Sequence, residues 1–172
     1  EGVWLGWSGR TRSGREVGDV GHSVVQGLSL ASVDFPEAWH RHYYNGFSNG
    51  ALWPLLHSFP GRVRFSHADW RSYVEANDAF AAIATRLVAR DATIWVHDYH
   101  LLLMGHRARA RGHTGPIGFF QHVPFPGPDI FFILPWANEI LEAMLDFDLI
   151  GFHTKRFVEN FLRCMATLPG VE

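Results

Sequence analysis

The chain has only one cysteine, Cys164, among its 172 residues, so it cannot form an internal disulfide. No stretch approaches the roughly 20 consecutive apolar residues that a membrane helix needs, and no basic segment leads into an apolar run near the start. An excess of positive charge is also missing, because 15 Lys and Arg residues face 17 Asp and Glu residues. These absences argue against membrane and nucleic-acid partners and favour a cytoplasmic protein.

Several active-site signatures are missing too. The sequence has no glycine-rich dinucleotide fingerprint, no Walker loop, and neither an HExxH nor a CxxC motif. Ser48 and Cys164 both lack the surrounding residues typical of a catalytic nucleophile. What the chain has instead is apolar surface, because hydrophobic residues make up 47% and aromatic residues 15% of it. That composition predicts one globular domain over residues 1–172.

Short apolar runs alternate with amphipathic segments from residue 69 onward. The runs lack polar alternation, which predicts strands buried on both faces of a parallel sheet; they are Thr93 to Val96, Ile117 to Phe120 and Phe147 to Phe152. The other segments show helical spacing; they are Asp69 to Arg90, Leu101 to Arg111, Trp136 to Leu145 and Lys155 to Thr167. Asp69 is the predicted cap of the first of these helices. This order predicts an α/β fold, with a Rossmann-like parallel sheet and helices on both faces.

The amino-terminal third is less regular. Gly2 to Gly9 predicts a buried strand that runs into a tight loop, and Ser23 to Ser32 predicts a second strand. Asp34 and Pro36 then predict the start of a helix, with Asp34 as its N-cap and the proline in its first turn.

The segment Tyr43 to His57 combines aromatic rings with side-chain amides. Aromatic rings stack on the apolar faces of sugar rings, while amides and phenols bind sugar hydroxyls. Core packing is the alternative explanation for Phe47 and Trp53, but so many polar groups are costly to bury without a partner. The segment therefore favours a helix that lines a carbohydrate site.

Polar side chains follow three of the predicted strands directly. His97 and Asp98 follow the first, His122 follows the second after Gln121, and His153 follows the third. Because the carboxyl ends of parallel strands share one edge of a sheet, we expect these groups to lie close together. There they can bind sugar hydroxyls or donate to a leaving phosphate. Each could equally cap a helix or fill a loop.

A metal site is a further alternative for these residues. His97, Asp98, His100 and His122 are all of metal-ligand type. Their spacing is loose, however, and the first histidines flank a strand end rather than one helix face. A zinc or iron hydrolase is therefore the less favoured interpretation, and no metal or other cofactor is expected.

Five strings in order carry a resemblance to a known family: GWSG, YYNGFSNGALWPLLH, WVHDYHLL, GFFQHVPFPGPDIF and DLIGFHT. They closely resemble the trehalose-6-phosphate synthases, which are glycosyltransferases of family 20 with a GT-B fold of two Rossmann-like domains. The resemblance extends over nearly all of residues 1–172 but covers only the amino-terminal half of that enzyme. It implies an acceptor-side domain that lacks the family's opening strand and its carboxy-terminal nucleotide-sugar domain.

The resemblance implies an activity. Members transfer glucose from UDP-glucose to glucose 6-phosphate, with retention of configuration and without a metal, and form α,α-trehalose 6-phosphate. The family reacts by front-face displacement, in which the leaving phosphate helps to deprotonate the acceptor, so pre-organised electrostatics matter more than a nucleophile. The chain by itself is expected to be inactive. Its missing partner surfaces are expected to make it self-associate, and a homo-oligomer is possible.

The family's motifs place six residues of this sequence at the site: Trp7, Tyr44, Trp53, Asp98, His122 and Val123. Tyr44 and Asp98 are expected to contact glucose 6-phosphate, and Trp7 is expected to lie beside its phosphate. His122 would lie by the sugar being transferred, and with Asp98 it is the expected catalytic group. Trp53 and Val123 would shape the pocket that selects the anomer.

Two related functions remain open. A glucosylglycerol-phosphate synthase shares the donor and these motifs but glucosylates glycerol 3-phosphate. A catalytically silent regulatory homologue would bind sugar phosphate without turnover. The intact motif residues argue against the silent homologue, whereas only an acceptor assay separates the two transferases.

Overall fold

The computed structural model of the chain describes residues 2–168. The outermost positions of the predicted domain, residue 1 and residues 169–172, lie outside the described part. Two three-stranded sheets organise the rest, one in the amino-terminal third and one in the remainder. None of the helices described is long and apolar enough to cross a membrane.

The amino-terminal sheet contains β1 (Val3–Arg12), β2 (Gly21–Val25) and β3 (Leu28–Pro36) in the order β1-β3-β2. β1 runs parallel to β3, whereas β2 and β3 form an antiparallel hairpin. Gln26 and Gly27 connect the hairpin with φ angles of 51° and 82°, the positive values of a tight two-residue turn. The prediction of one strand over Ser23 to Ser32 is therefore wrong. Gln-Gly is a weaker turn signal than Asn-Gly.

The first helical region is continuous from residue 37 to residue 56. It consists of α1 (Glu37–Trp39), a π-helical segment (His40–Leu52) and α2 (Trp53–Leu56). Pro36 occupies the N-cap position. The predicted N-cap, Asp34, instead lies inside β3, where its Oδ1 accepts a hydrogen bond from Ser8 Oγ at 2.5 Å. The prediction of Asp34 as the N-cap is wrong because its carboxylate binds Ser8 on the neighbouring strand.

The π-helical segment spans 13 residues. Its i to i+5 hydrogen bonds widen each turn, so the buried side chains recur at steps of four and five residues. Tyr43, Phe47 and Leu52 follow this spacing and are buried. A long π-helical stretch is uncommon, and such segments occur frequently at functional sites.

The longest helix, α3 (His67–Leu87), begins where a serine caps it. Ser66 Oγ accepts hydrogen bonds from the backbone N–H groups of Ala68 and Asp69, at 3.2 and 3.4 Å. The helix is confirmed, but its predicted cap is not. Asp69 lies in the first turn and binds Nδ1 of His42 at 2.6 Å.

The second sheet contains β4 (Ile94–His97), β5 (Ile117–Gln121) and β6 (Leu149–Phe152), all parallel and in that order. Helices α4 (Met104–Ala110), α5 (Pro128–Phe131) and α6 (Ala137–Met144) fill the connections, and α7 (Lys155–Met165) follows β6. The predicted α/β fold with a parallel sheet is confirmed.

The central strand β5 is buried on both faces, as predicted, but the edge strands β4 and β6 are not. Val96 and Phe119 lie in the core, whereas Trp95 and Leu149 on the opposite face are 48% and 59% exposed. β4 and β6 lack polar alternation although one face of each is exposed, so this pattern does not predict burial on both faces here.

One hydrophobic core joins the two sheets. Phe35 of β3, Phe47 of the π-helical segment, Tyr73 of α3 and Phe119 of β5 belong to the same buried cluster. Cys164 on α7 is fully buried in it, and burial raises the pKa of this thiol to about 12. The sheets therefore share one core within the part of the chain that is described.

Candidate functional site

The loop that follows β4 carries the most unusual backbone conformation of the predicted site. Asp98 has φ of 69° and ψ of 167°, in a region that residues other than glycine rarely adopt. Its N–H donates to the carbonyl of Phe120 at 2.9 Å. Its Oδ1 accepts from the backbone N–H groups of Tyr99 and His122, at 3.0 and 3.2 Å. The carboxylate thus links two strand ends, and such strained positions cluster at active sites.

His122 lies on the exposed side of this link. Its Nε2 is 2.9 Å from Nδ1 of His97, and the two rings stack with their centroids 5.2 Å apart. The ring of His153 meets His122 edge-on at 5.7 Å. The structure therefore brings Asp98 together with the three strand-end histidines, as the parallel-sheet argument predicts.

A second group of aromatic rings connects β1 with the π-helical segment. Trp7 stacks on Phe35 at 4.8 Å with an angle of 7° between the ring planes, and the ring of Tyr44 lies 5.2 Å from it. The indole Nε1 of Trp7 donates to the carbonyl of Arg10 at 2.7 Å. Trp7 therefore offers a ring rather than an N–H group to any ligand.

His40 belongs to this aromatic group, although the sequence reasoning missed it. Its ring stacks on Tyr44 at 6.0 Å and lies 5.5 Å from Trp7. His40 and Tyr44 are four residues apart in one helical region, where residues at this spacing are neighbours. That spacing was the available signal.

His100 connects the aromatic group to Asp98. It lies two residues beyond Asp98, and its ring stacks on that of Tyr44 at 5.5 Å with 18° between the planes. Burial lowers the pKa of His100, and the Asp98 carboxylate only partly opposes this effect. Its Nε2 is buried without a hydrogen-bond partner in the described part of the chain. The imidazole is therefore neutral at pH 7, with one ring nitrogen available.

Two buried polar residues of α3 hold this loop in place. The hydroxyl of Tyr73 donates to the carbonyl of Tyr99 at 2.7 Å and accepts from the N–H of Leu102 at 3.1 Å. Asn77 donates to the carbonyl of His100 at 3.1 Å and accepts from the N–H of Leu103 at the same distance. Because these partners are buried, the loop is backed by a satisfied polar network. Helical spacing over residues 69–90 predicts that Tyr73 lies on the apolar face of the helix, but it does not predict that the hydroxyl supports this loop.

Trp53 and Val123 are less closely joined to the rest. Trp53 is 40% exposed and stacks on the ring of His57 at 4.1 Å. Within residues 2–168, no ring contact or hydrogen bond joins the Trp53 side chain to the other five predicted residues. Val123 is partly buried against the core and follows His122 directly in the chain.

The alternative of a metal centre requires several ligands that converge. Over residues 2–168, no three His, Cys, Asp or Glu side chains form a group that could hold a metal ion. The nitrogens of His97 and His122 face each other as a hydrogen-bonded pair instead.

Comparison with known proteins shows which family this chain matches. The model of glycosyltransferase family 20 matches residues 1–172. Trehalose-6-phosphate synthase from Cronobacter sakazakii is 41% identical over 165 residues, which cover 96% of this chain and 34% of that protein.

Solved structures of trehalose-phosphate synthases also superpose on this chain. The UDP-forming α,α-trehalose-phosphate synthase of Burkholderia xenovorans in complex with glucose-6-phosphate superposes with a TM-score of 0.92 at 32% identity, covering 96% of this chain and 36% of that one. An E. coli structure bound with UDP-2-fluoro glucose gives a TM-score of 0.89 at 38% identity, covering 95% of this chain and 36% of that one. The chain thus spans about a third of these relatives, and the predicted Rossmann-like fold of a GT-B enzyme is confirmed. With a family model that matches its whole length, this chain belongs to glycosyltransferase family 20.

Proposed function

We propose that the full-length protein carrying this chain transfers glucose from UDP-glucose to glucose 6-phosphate and forms α,α-trehalose 6-phosphate. The observation that supports this most strongly is the Asp98 carboxylate, which joins the ends of β4 and β5 next to the stacked rings of Tyr44 and His100. A carboxylate beside aromatic faces suits a sugar, and relatives of the chain are trehalose-6-phosphate synthases.

The acceptor binds at Asp98, Tyr44 and Trp7 in this proposal. Hydrogen bonds within residues 2–168 use only Oδ1 of Asp98, so Oδ2 accepts from a hydroxyl of glucose 6-phosphate. The phenol of Tyr44 binds a second polar group of the same ligand. Trp7 lies beside the phosphate and contributes its ring, because its N–H is already donated to a backbone carbonyl.

His122 contacts the glucose being transferred. Its ring is exposed at the strand edge, while its backbone N–H is tied to Asp98, so acceptor and donor sugars meet at one linked pair of residues. Val123 and Trp53 shape the pocket that selects the anomer. Trp53 is 40% exposed and stacks on His57, so its exposed part is what it offers to that pocket.

Transfer proceeds with retention and without a metal ion, in the manner of the family. The residues of this chain orient the two sugars, and the leaving phosphate takes the proton from the acceptor hydroxyl. Residues 1–172 form the acceptor domain, and the groups that bind the nucleotide diphosphate lie elsewhere in the protein. The chain alone is therefore inactive. Cytoplasmic location stays a prediction, as does the absence of a nucleic-acid partner.

The test is release of UDP from UDP-glucose by the full-length protein. Each reaction contains either glucose 6-phosphate or glycerol 3-phosphate. Turnover with glucose 6-phosphate supports the proposal, and turnover only with glycerol 3-phosphate assigns the glucosylglycerol-phosphate activity. No turnover with either acceptor, combined with saturable binding of glucose 6-phosphate, indicates a silent binding protein. An Asp98→Asn variant reports whether the carboxylate takes part.

A further inference from the structure

His97 has no role in the proposed reaction, yet its side chain makes a hydrogen-bond contact with that of His122. Its Nδ1 is 2.9 Å from Nε2 of His122, and the two rings stack with 30° between their planes. Trp4 of β1 also stacks on His97, at 5.5 Å and 26°. His97 is thus held by a neighbouring ring while it faces the residue assigned to the donor sugar.

A contact between two ring nitrogens has a fixed chemical requirement. One nitrogen must carry a hydrogen and the other must offer a lone pair. The pair therefore binds at most one proton beyond its neutral state before the hydrogen bond breaks. While the bond holds, Nε2 of His122 is occupied, so its Nδ1 is the atom that remains for a ligand.

The surroundings favour the uncharged form of His97. Burial lowers its pKa, the nearby His122 lowers it further, and the Asp98 carboxylate opposes both effects. Trp4 and Trp95, the other rings in contact with His97, carry no charge. At pH 7 and above, His97 is therefore neutral and can share one hydrogen with Nε2 of His122. Protons on both contacting nitrogens would separate the rings, and His153, whose ring meets that of His122 edge-on, is the remaining titratable neighbour of the pair.

We propose that His97 is a positioning residue for glucosyl transfer, which fixes the ring orientation and tautomer of His122 so that its Nδ1 faces the donor sugar. This inference rests on the role given to His122 in the proposed function. A purely structural role for His97, as a filler beside Trp4, would require its shape but not its nitrogen.

Two substitutions of His97 separate the contribution of its ring nitrogen from that of its flat ring. His97→Asn places an amide atom at the δ position, where it can still bind Nε2 of His122, but it cannot take up a proton. His97→Phe keeps a flat ring and removes the hydrogen bond. His22→Asn, at an exposed position on β2, is the control for changing a histidine elsewhere.

The experiment measures kcat/KM for glucosyl transfer against pH in the full-length protein. Loss of one hydrogen bond predicts a decrease on the order of tenfold for His97→Phe at pH 8. His97→Asn is expected to stay within about threefold of the wild type at pH 8, since its amide restores that bond. The acidic limb of its profile is expected to lie at lower pH, because the variant has no second proton to bind. His22→Asn is expected to match the wild type throughout.

A double substitution tests whether His97 acts through His122. Adding His97→Phe to His122→Phe is expected to cause little further loss, whereas independent roles would make the two losses multiply. Multiplying losses, or equal losses in the Phe and Asn variants of His97, would overturn the proposal.

A spectroscopic measurement makes the outcome independent of turnover. Nitrogen-15 NMR of the imidazole groups in the same protein is expected to show a single neutral tautomer for His122, and averaged tautomers in His97→Phe. Identical His122 signals in both proteins would refute the pairing. If the wild type transfers no glucose to either acceptor, the proposed function fails, and the NMR comparison still decides whether His97 sets the tautomer of His122.

Discussion

The proposed acceptor side and the proposed donor side of the candidate site differ in how the chain supports them. Around Asp98 and His100, the backbone is held by buried groups of α3, and the neighbouring rings stack on one another. His122 stands at an exposed edge, where its backbone N–H binds Asp98 and its ring contacts those of His97 and His153. The proposed acceptor side is therefore supported by buried groups of this chain, whereas His122 on the proposed donor side is exposed. Substitutions on the two sides should behave differently.

The largest effect is expected for Asp98→Asn. Asparagine tolerates positive φ better than most residues and its Oδ1 can still accept the two backbone hydrogen bonds, so the loop should keep its form. The charge on Oδ2 is lost, and kcat/KM with glucose 6-phosphate should fall by about 100-fold or more. Steady-state kinetics of the full-length protein measure this, with thermal unfolding as the control for folding. Activity within threefold of the wild type would contradict the assigned role.

Tyr73→Phe should separate support of the loop from contact with substrate. The change leaves the buried carbonyl of Tyr99 and the N–H of Leu102 without their partner, which costs about 2 kcal/mol of unfolding free energy. Denaturant unfolding measures that loss. The matched control is Tyr44→Phe, whose ring stays stacked and whose stability should change by less than about 0.5 kcal/mol while acceptor affinity falls. Equal destabilisation by both changes would contradict the comparison.

Gly46→Ala tests the packing of the π-helical segment on α3. A Cβ at this position would lie 2.6 Å from the carboxyl carbon of Asp69, which is bonded to His42. The crowding should cost about 1 to 2 kcal/mol of unfolding free energy. Gly61→Ala is the control, because a Cβ there meets nothing within 4 Å. The prediction fails if calorimetry shows the same stability for both variants.

The smallest effect is a pH dependence of stability. Burial lowers the pKa of His100 below its ordinary value of 6.5, so the unfolded chain binds a proton that the folded chain resists. Stability contributed by this neutral histidine is therefore lost as the pH falls below about 6.5. His100→Gln should flatten the decrease in unfolding free energy between about pH 6.5 and 5, and exposed His22→Gln should not. Parallel curves for the two variants would exclude the effect.

Sequence reasoning found the polar residues at the strand ends more readily than the contacts among the aromatic rings. Asp98, His122 and His153 each follow a strand of a parallel sheet, and chain topology alone brings such positions together. The contact of His40 with Trp7 could not be predicted in this way, because it depends on how the π-helical segment packs on β1. Wider turns also shift which side chains face inward, so ordinary helical spacing misplaces them.

Local sequence patterns predicted the wrong helix caps where a residue distant in sequence binds the predicted capping side chain. Asp34 has the side chain of a helix cap, yet Ser8 on the neighbouring strand takes its carboxylate. The cap of α3 is Ser66, three residues before the residue that the pattern favoured. Near the start of both helices, several short polar side chains are suitable as N-caps, and tertiary contacts determine which of them takes that role.

The burial of Cys164 has a practical use for following this chain. Alkylating reagents react with thiolates, and a fully buried thiol whose pKa is raised to about 12 presents almost none at neutral pH. A cysteine introduced at an exposed position of residues 2–168 would therefore be the one thiol in this chain to take a fluorescent dye. The native cysteine can stay in place, and distances to the donor side can be recorded without disturbing the core.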